Sequence, residues 1–247
     1  MHLERSVKFQ GRTCLVTGAG RRVGRAIALA VGAEGARVAV HYNESDEGAS
    51  EVVKLLRDSG TEAQAFSADL TRPDAPEALI SAVHQWAGLD FLVNSAAVMM
   101  EGPVDSVSQD EWEFMFTLNL RAPFFLSQAA ARVMKPGSAM VNIADLAAFE
   151  TWPNHVPHGI TKAGVVQMTR ALARVLAPGI RVNAVAPGAV LLPESMDQES
   201  AERLAATTPL GRIGSAEDVA EAVCYLLGAG YVTGEVIVVD GGRLIRK

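Results

Sequence analysis

Residues 13–30 read TCLVTGAGRRVGRAIALA. Cys14, Leu15 and Val16 form a short apolar run suited to a central parallel strand, and Ile27 and Val31 recur at helical spacing beyond it. Gly18, Gly20 and Gly24 punctuate the join. A glycine turn placed between strand and helix lets backbone approach a pyrophosphate, and the first N–H groups of the helix then face the negative charge. The stretch therefore reads as a buried strand, a phosphate-binding turn and the start of an amphipathic helix. The alternative is a turn that only joins strand to helix. Three residues separate Gly20 from Gly24, so the G-x-G-x-x-G fingerprint of the common dinucleotide fold fits imperfectly.

Outward from this stretch, composition narrows the classes. A chain of 247 residues, 49% of them hydrophobic, can bury a sizeable core as one α/β domain. The net charge of −6, with no basic stripe, argues against a nucleic-acid surface, although local arginines can still hold phosphate. Cys14 and Cys224 are too few and too apolar in setting for a zinc site or a disulfide framework. No metal is expected, and the expected compartment is reducing. MHLERSVKFQ at the start lacks an apolar signal-peptide core, and no apolar run approaches the ~20 residues of a membrane span. A soluble, cytoplasmic protein is expected, with no membrane partner.

Strand and helix patterns alternate along the chain. Apolar, strand-like runs are expected at residues 37–42, 63–68, 89–93, 139–144 and 182–186. Helical patterns fall at 47–59, with Val52, Val53, Leu55 and Leu56 on one face, at 73–87 and at 160–175, where Pro157 suits the helix start. Ser108 and Glu111 form a capping box, with Val107 and Trp112 as its hydrophobic staple. The helix they start runs past Asn119, and Pro123, four residues on, cannot pair with the Asn119 carbonyl and forces a bend. This alternation predicts a doubly wound, Rossmann-type parallel sheet of about seven strands in a single domain. No G-x-S-x-G elbow occurs, which disfavours a serine hydrolase. The acidic, weakly amphipathic segment 191–208 is the place for a substrate lid.

Several motifs follow in order. Thr17-Gly18 leads, after three intervening residues, to Arg22 and then to Gly24; Asn94-Ser95-Ala96-Ala97 ends the fourth strand; Asp145, His158 and Lys162 are spaced by thirteen and four residues. Pro187-Gly188, Pro209-Leu210-Gly211-Arg212, Glu217-Asp218-Val219-Ala220, Val232-Thr233-Gly234 and Val238-Val239-Asp240-Gly241-Gly242 complete the series. In order and spacing the chain resembles the short-chain dehydrogenase/reductase family, and Arg22 and Asp145 resemble its pteridine-reductase-like branch. The resemblance implies a hydride transfer with a nicotinamide dinucleotide on a small-molecule substrate, and a homo-oligomer, tetramer or dimer, in which helices such as 160–175 pair.

The resemblance also assigns residues. Thr17, Gly18, Arg21, Val23 and Gly24 would surround the pyrophosphate, with Arg22 reaching phosphate. Asp69 would hydrogen-bond the adenine amino group beside Leu70, though a cap before the helix at Pro73 explains Asp69 as well. Asn94 would steady its strand while Ser95 and Ala96 pass over the ribose, and Pro187 and Gly188 would pack against the nicotinamide. Lys162 would serve both cofactor and catalysis. The kink at Asn119 would hold a water connected to Lys162, a bend for packing alone being the alternative. In the branch an aromatic residue stacks on the pterin where this chain has Met99, whose thioether can cover a ring but also suits a core or lid role.

The tip of the second strand, Tyr42, Asn43, Glu44 and Ser45, selects the cofactor. An acidic residue there favours NAD(H), whereas a 2′-phosphate needs cationic or hydroxyl partners. Arg21, Arg22 and Ser45 favour NADP(H) over NAD(H); Glu44 opposes unless it faces solvent. The main departure is His158, which stands where the family has its Tyr proton donor. Lys162 should keep a neighbouring imidazole neutral, while Asp145, if close, should favour imidazolium and orient it as a donor. An NADP(H)-dependent carbonyl or imine reductase, pterin substrates included, is expected. The alternatives are proton donation by Asp145 itself, or a dinucleotide-binding protein that has lost turnover with its Tyr.

Overall fold

The computed structural model describes residues 8–191 and 197–245. The opening stretch folds as read: β1 spans Thr13–Val16, every residue buried, and α1 spans Arg22–Ala33. The chain continues through β2 (Arg37–Tyr42), α2 (Asp46–Asp58), β3 (Ala63–Ser67), α3 (Ala75–Ala87) and β4 (Phe91–Asn94). Then come α4 (Gln109–Phe116), α5 (Ala122–Val133), β5 (Ser138–Ile143), α6 (Val156–Leu176), β6 (Ile180–Pro187), α7 (Gln198–Ala206), α8 (Ala216–Gly228) and β7 (Val236–Val239).

All seven strands are parallel, in the order β3-β2-β1-β4-β5-β6-β7. A parallel sheet needs crossover helices that cover both faces, so its interior strands are apolar on both sides. The strand period of two sorts neighbouring residues accordingly. Cys14, Val16, Val38, Val40, Phe91, Val93 and Val141 join the apolar layer with Ile27 and Val31 of α1, Val52 and Leu56 of α2 and Val223 of α8. Leu15, Ala39, Leu92 and Met140 join the opposite layer with Leu79 and Val83 of α3, Leu126 of α5 and Val165 and Leu172 of α6. This is the expected doubly wound α/β fold, in one domain.

Boundaries move by a few residues, because strand ends are set by pairing that apolar runs do not encode. The fourth strand begins two residues later and ends one residue later than the pattern suggested, since Asp90 is held at the strand entrance by Arg12 and the Thr13 amide. Leu55, placed on the buried face of α2, is 39% exposed, whereas Val52, Val53 and Leu56 are buried. The bend at Pro123 takes a definite form: Thr117–Arg121 is a π-helical turn between α4 and α5, with the Ala122 amide donating to the Thr117 carbonyl. Pro123 then sits in the first turn of α5, where its missing N–H leaves no gap. Residues 192–196 of the expected lid lie outside the described residues; α7 makes up most of the described remainder, residues 191 and 197–208.

Candidate functional site

The candidate residues gather at the carboxyl ends of the strands, where α/β sheets bind ligands, on both sides of the switch between β1 and β4. The turn after β1 is held by its neighbours. Thr17 Oγ1 accepts from the Ser95 and Ala96 amides at 2.9 and 3.0 Å, so the turns after β1 and β4 are tied together. Gly18 takes φ +65° and lies so near Ala96 that an added Cβ would stand 3.0 Å from the Ala96 Cα. Gly24 lets α1 start directly against the turn, since a Cβ there would meet the Gly18 carbonyl oxygen at 2.2 Å.

Arg22 is the one described non-glycine residue with positive φ, at 51°. That conformation costs an L-residue about 1 kcal/mol and is the physical reason glycine is usual at this position. Its guanidinium donates to the Leu191 carbonyl at 3.2 Å, after β6, so in the structure the side chain has a protein partner. Arg21 is exposed, as are Asn43 and Glu44; Tyr42 and Ser45 are half-buried. Ser45 Oγ lies over Gly20, 2.6 Å from where a Cβ would be, and Gly48 of α2 packs against the Gly20 carbonyl. Val23, in the first turn of α1, is half-buried.

Asp69 follows β3. Its Oδ1 accepts from the Thr71 amide and hydroxyl at 3.0 and 2.6 Å, which holds the carboxyl below its usual range. It caps a local turn at Thr71, and α3 begins later, after Asp74, so the reading of Asp69 as the cap of that helix is corrected. Leu70 is buried beside it. Asn94 is 6% exposed and donates to Asn142 Oδ1 at 2.8 Å and Ser127 Oγ at 3.1 Å, while Asn142 donates to Thr169. This network pins β4 to β5, α5 and α6. Asn119, in the π turn, clamps the loop after β4: Oδ1 accepts from the Val98 amide and Nδ2 donates to the Val98 carbonyl, both at 2.8 Å. Nδ2 also reaches Thr161 Oγ1 at 3.3 Å, which donates to the His158 carbonyl.

Asp145, His158 and Lys162 do come together. Asp145 follows β5, and its Oδ1 accepts from the Ala147 amide at 2.9 Å, which fixes the carboxylate. His158 and Lys162 lie one turn apart on α6, 3% and 4% exposed. His158 Nε2 is 3.6 Å from Asp145 Oδ2, an electrostatic contact too long for a hydrogen bond. Neither ring nitrogen of His158 has a hydrogen-bond partner among the described residues. Buried polar atoms are almost always paired, so an imidazole with both nitrogens unpartnered departs from ordinary packing. Lys162 Nζ donates to the Ile143 carbonyl at 2.9 Å; burial pushes its pKa down to about 8, and the Asp145 charge partly opposes the fall. Pro187 is buried and Gly188 half-buried at the end of β6, with Gly188 close against Asp240.

The family model described as enoyl-(acyl carrier protein) reductase matches residues 18–243. The 3beta-hydroxysteroid dehydrogenase 1 of Eggerthella lenta is 34% identical, covering 96% of this chain and 95% of the relative. The 3-oxoacyl-(acyl-carrier-protein) reductase FabG of Staphylococcus aureus is 35% identical over 94% of this chain and 97% of the relative. This chain belongs to the short-chain dehydrogenase/reductase family. Among solved structures of the same family type, angucycline C-6 ketoreductase LanV with bound NADP superposes with TM-score 0.91 at 32% identity, covering 96% of this chain and 97% of that one. A short-chain dehydrogenase of Burkholderia cenocepacia in complex with NADP gives TM-score 0.91 at 32% identity, over 96% and 99% of the two chains.

None of the three tyrosines of this short-chain dehydrogenase/reductase lies on the elements that carry His158 and Lys162 or next to Asp145. Tyr42 ends β2 and is half-buried, while Tyr225 and Tyr231 are 56% and 105% exposed on the α8 side. Met99 is 53% exposed. Cys14 and Cys224 are free, buried thiols, and no metal-binding cluster occurs among the described residues. No described helix is long and apolar enough to cross a membrane. Sequence reading missed Gly48, Ser127, Asn142, Thr169 and His41. The first could have been noticed as a glycine in the first turn of α2; the others are ordinary polar residues whose partners lie far along the chain.

Proposed function

We propose that this chain is an NADP(H)-dependent reductase of a carbonyl or imine group, with His158 as proton donor. The observation that carries the reading is the buried, unpaired imidazole beside Asp145 and one turn from Lys162. The cofactor would supply the hydride when bound. The residues present suit it: Gly18, Val23 and Gly24 form a tight turn at a helix start, Ser95 and Ala96 are small, and Arg21 and Arg22 bring positive charge. Lys162 would turn toward the ribose, its charge held back by burial.

His158 gives up its proton as charge develops on the reacting heteroatom, and Asp145, fixed by the Ala147 amide, orients the ring and stabilises its protonated form. A 3 Å-scale closure is not needed, because a small shift of either side chain turns the 3.6 Å contact into a hydrogen bond. Asn119 holds Val98 and Thr161 around the same centre. The 2′-phosphate would lie near Ser45, Arg21 and Arg22; exposed Glu44 is free to face solvent. The NADP bound in the similar LanV and Burkholderia cenocepacia structures supports this choice.

The second reading, a dinucleotide-binding protein without turnover, is favoured by the same 3.6 Å gap, which leaves the Asp145 and His158 pair unbonded. NADPH oxidation by wild type, His158→Phe and His158→Tyr on one panel of ketones, imines and dihydropterins separates the two. Turnover by wild type that is lost in His158→Phe, with NADPH binding retained, supports the donor role. Undiminished turnover in His158→Phe moves the proton to Asp145 or water, and silence in wild type with gain in His158→Tyr supports the binding protein.

A further inference from the structure

The interior of the sheet holds a buried imidazole that this mechanism does not use. His41, near the end of β2, is 2% exposed. Its ring lies between two backbones: the Gly18 amide donates to Nδ1 at 3.0 Å, and Nε2 is 3.0 Å from the Ala68 carbonyl oxygen. An amide N–H can only donate and a carbonyl oxygen can only accept, so Nδ1 must be bare and Nε2 must carry the proton. The two partners thus fix a neutral ring in one tautomer. Burial agrees, pulling its pKa down to about 4.

The backbone of the same residue adds a third contact, its carbonyl accepting from the Ala19 amide at 2.9 Å. Gly18 and Ala19 belong to the glycine turn, and Ala68 directly precedes Asp69 and Leu70. The turn is tied onward through Thr17 to Ser95 and Ala96. Three loops at the strand ends, those after β1, β3 and β4, are therefore joined, and His41 is the only side chain linking the turn after β1 to the loop after β3 in the described hydrogen bonds. An apolar side chain would fill the volume but leave the part-buried Gly18 N–H and Ala68 carbonyl without these partners.

We propose that His41 is a positioning residue of the dinucleotide site: it sets the distance between the turn that receives the pyrophosphate and the loop that receives the adenine, acting through the backbones of Gly18 and Ala68. The proposal rests on the cofactor reading above. It separates affinity from chemistry, because His41 lies at the adenine side of the sheet and Asp145, His158 and Lys162 lie beyond β4.

The test is NADPH binding by nicotinamide fluorescence, beside steady-state kinetics and thermal melting, for wild type, His41→Leu and His41→Asn. The Asn amide oxygen stands where Nδ1 does and restores the acceptor for Gly18. Leucine is expected to weaken NADPH about tenfold, in line with loss of buried backbone partners, with kcat at saturating NADPH within twofold of wild type. Asparagine is expected to recover affinity to within threefold. Nitrogen-15 spectra of wild type should show a neutral Nε2–H imidazole with and without NADPH. If leucine does not fold, His41→Gln, whose amide stands at Nε2, replaces it and should bind NADPH at least threefold more weakly than asparagine. Equal affinity of all folded variants, or a loss in kcat alone, would overturn the positioning role. Failure of wild type to bind NADPH or NADH would overturn it together with the cofactor reading, and is distinct from the other outcomes.

Discussion

At the scale of single residues, two side chains sit where the backbone or the solvent would rather have something else. Arg22 holds φ 51° at a position suited to glycine. Arg22→Gly relieves that strain and loses one exposed bond to Leu191, while it frees the unfolded chain, so apo stability should stay within about 1 kcal/mol of wild type. NADPH affinity should nevertheless fall more than NADH affinity, as titration of both nucleotides would show; equal weakening would remove the phosphate role. Lys162 is the second case. Its pKa falls from 10.5 to about 8 on folding, so the folded state resists the charge: the cost is present in full below about pH 8 and disappears as pH rises toward 10.5. The shift corresponds to about 3 kcal/mol, and Lys162→Met gives back part of it by leaving the Ile143 carbonyl unpaired. Chemical denaturation at pH 7 should find Lys162→Met more stable by about 1–2 kcal/mol, with the gain gone near pH 10 and activity lost throughout. A variant less stable at pH 7 would show that the lysine is not paying a burial cost.

At the scale of elements, the Ser108 and Glu111 capping box read from the sequence is present in full, and Ser215 and Asp218 form a second at the start of α8. Arg212 and the Ser215 amide hold the Asp218 carboxyl down to about 2, so this cap contributes above about pH 4 and is lost as pH falls toward 2. Ser215→Ala should cost about 1 kcal/mol, a fall of roughly 2–4 °C in Tm by calorimetry. Such local signals explain why the elements were legible: caps, apolar runs and glycine turns act within a few residues. The alternation of short runs with helical patterns was enough for the parallel sheet, since each strand buries both faces. What the sequence hid depends on distant partners. Nothing near Asn94 announces Asn142 or Thr169, and Pro123 announces a bend without saying that it becomes a π turn. At the site, the family resemblance singled out Asp145, His158 and Lys162 but left the approach of Asp145 open, and the unpaired state of the imidazole is a fact of tertiary packing.

At the scale of the molecule, two apolar faces remain uncovered. On α4 and α5, Trp112, Phe114, Phe124 and Phe125 are each at least 36% exposed. At the sheet edge, all four valine and isoleucine residues of β7 are only half-buried, whereas the interior strands β1 and β4 are buried throughout. The strand pairs β6 alone, so the sheet leaves the outer hydrogen-bonding groups of its edge unpaired, while its half-buried side chains pack against the two apolar layers; single-chain proteins usually blunt such an edge. On α6 the apolar residues expected to meet a partner sort differently: Val165, Val166, Met168 and Leu172 are buried within the chain, while Ile160 and Val175 are exposed. A second copy of the chain would cover a self-complementary face, and two such faces generate a tetramer with dihedral symmetry. Light scattering after size exclusion at about 10 μM, a concentration that populates contacts of micromolar affinity or better, should therefore give four chains. Phe125→Glu puts a charge into one face and should halve the mass while leaving the β7 pairing intact, and a charge at Val238 should do the same for the other face. Wild type that elutes as a single chain at that concentration would refute the assembly, and a mass unchanged by either substitution would show that these are not the faces that pair.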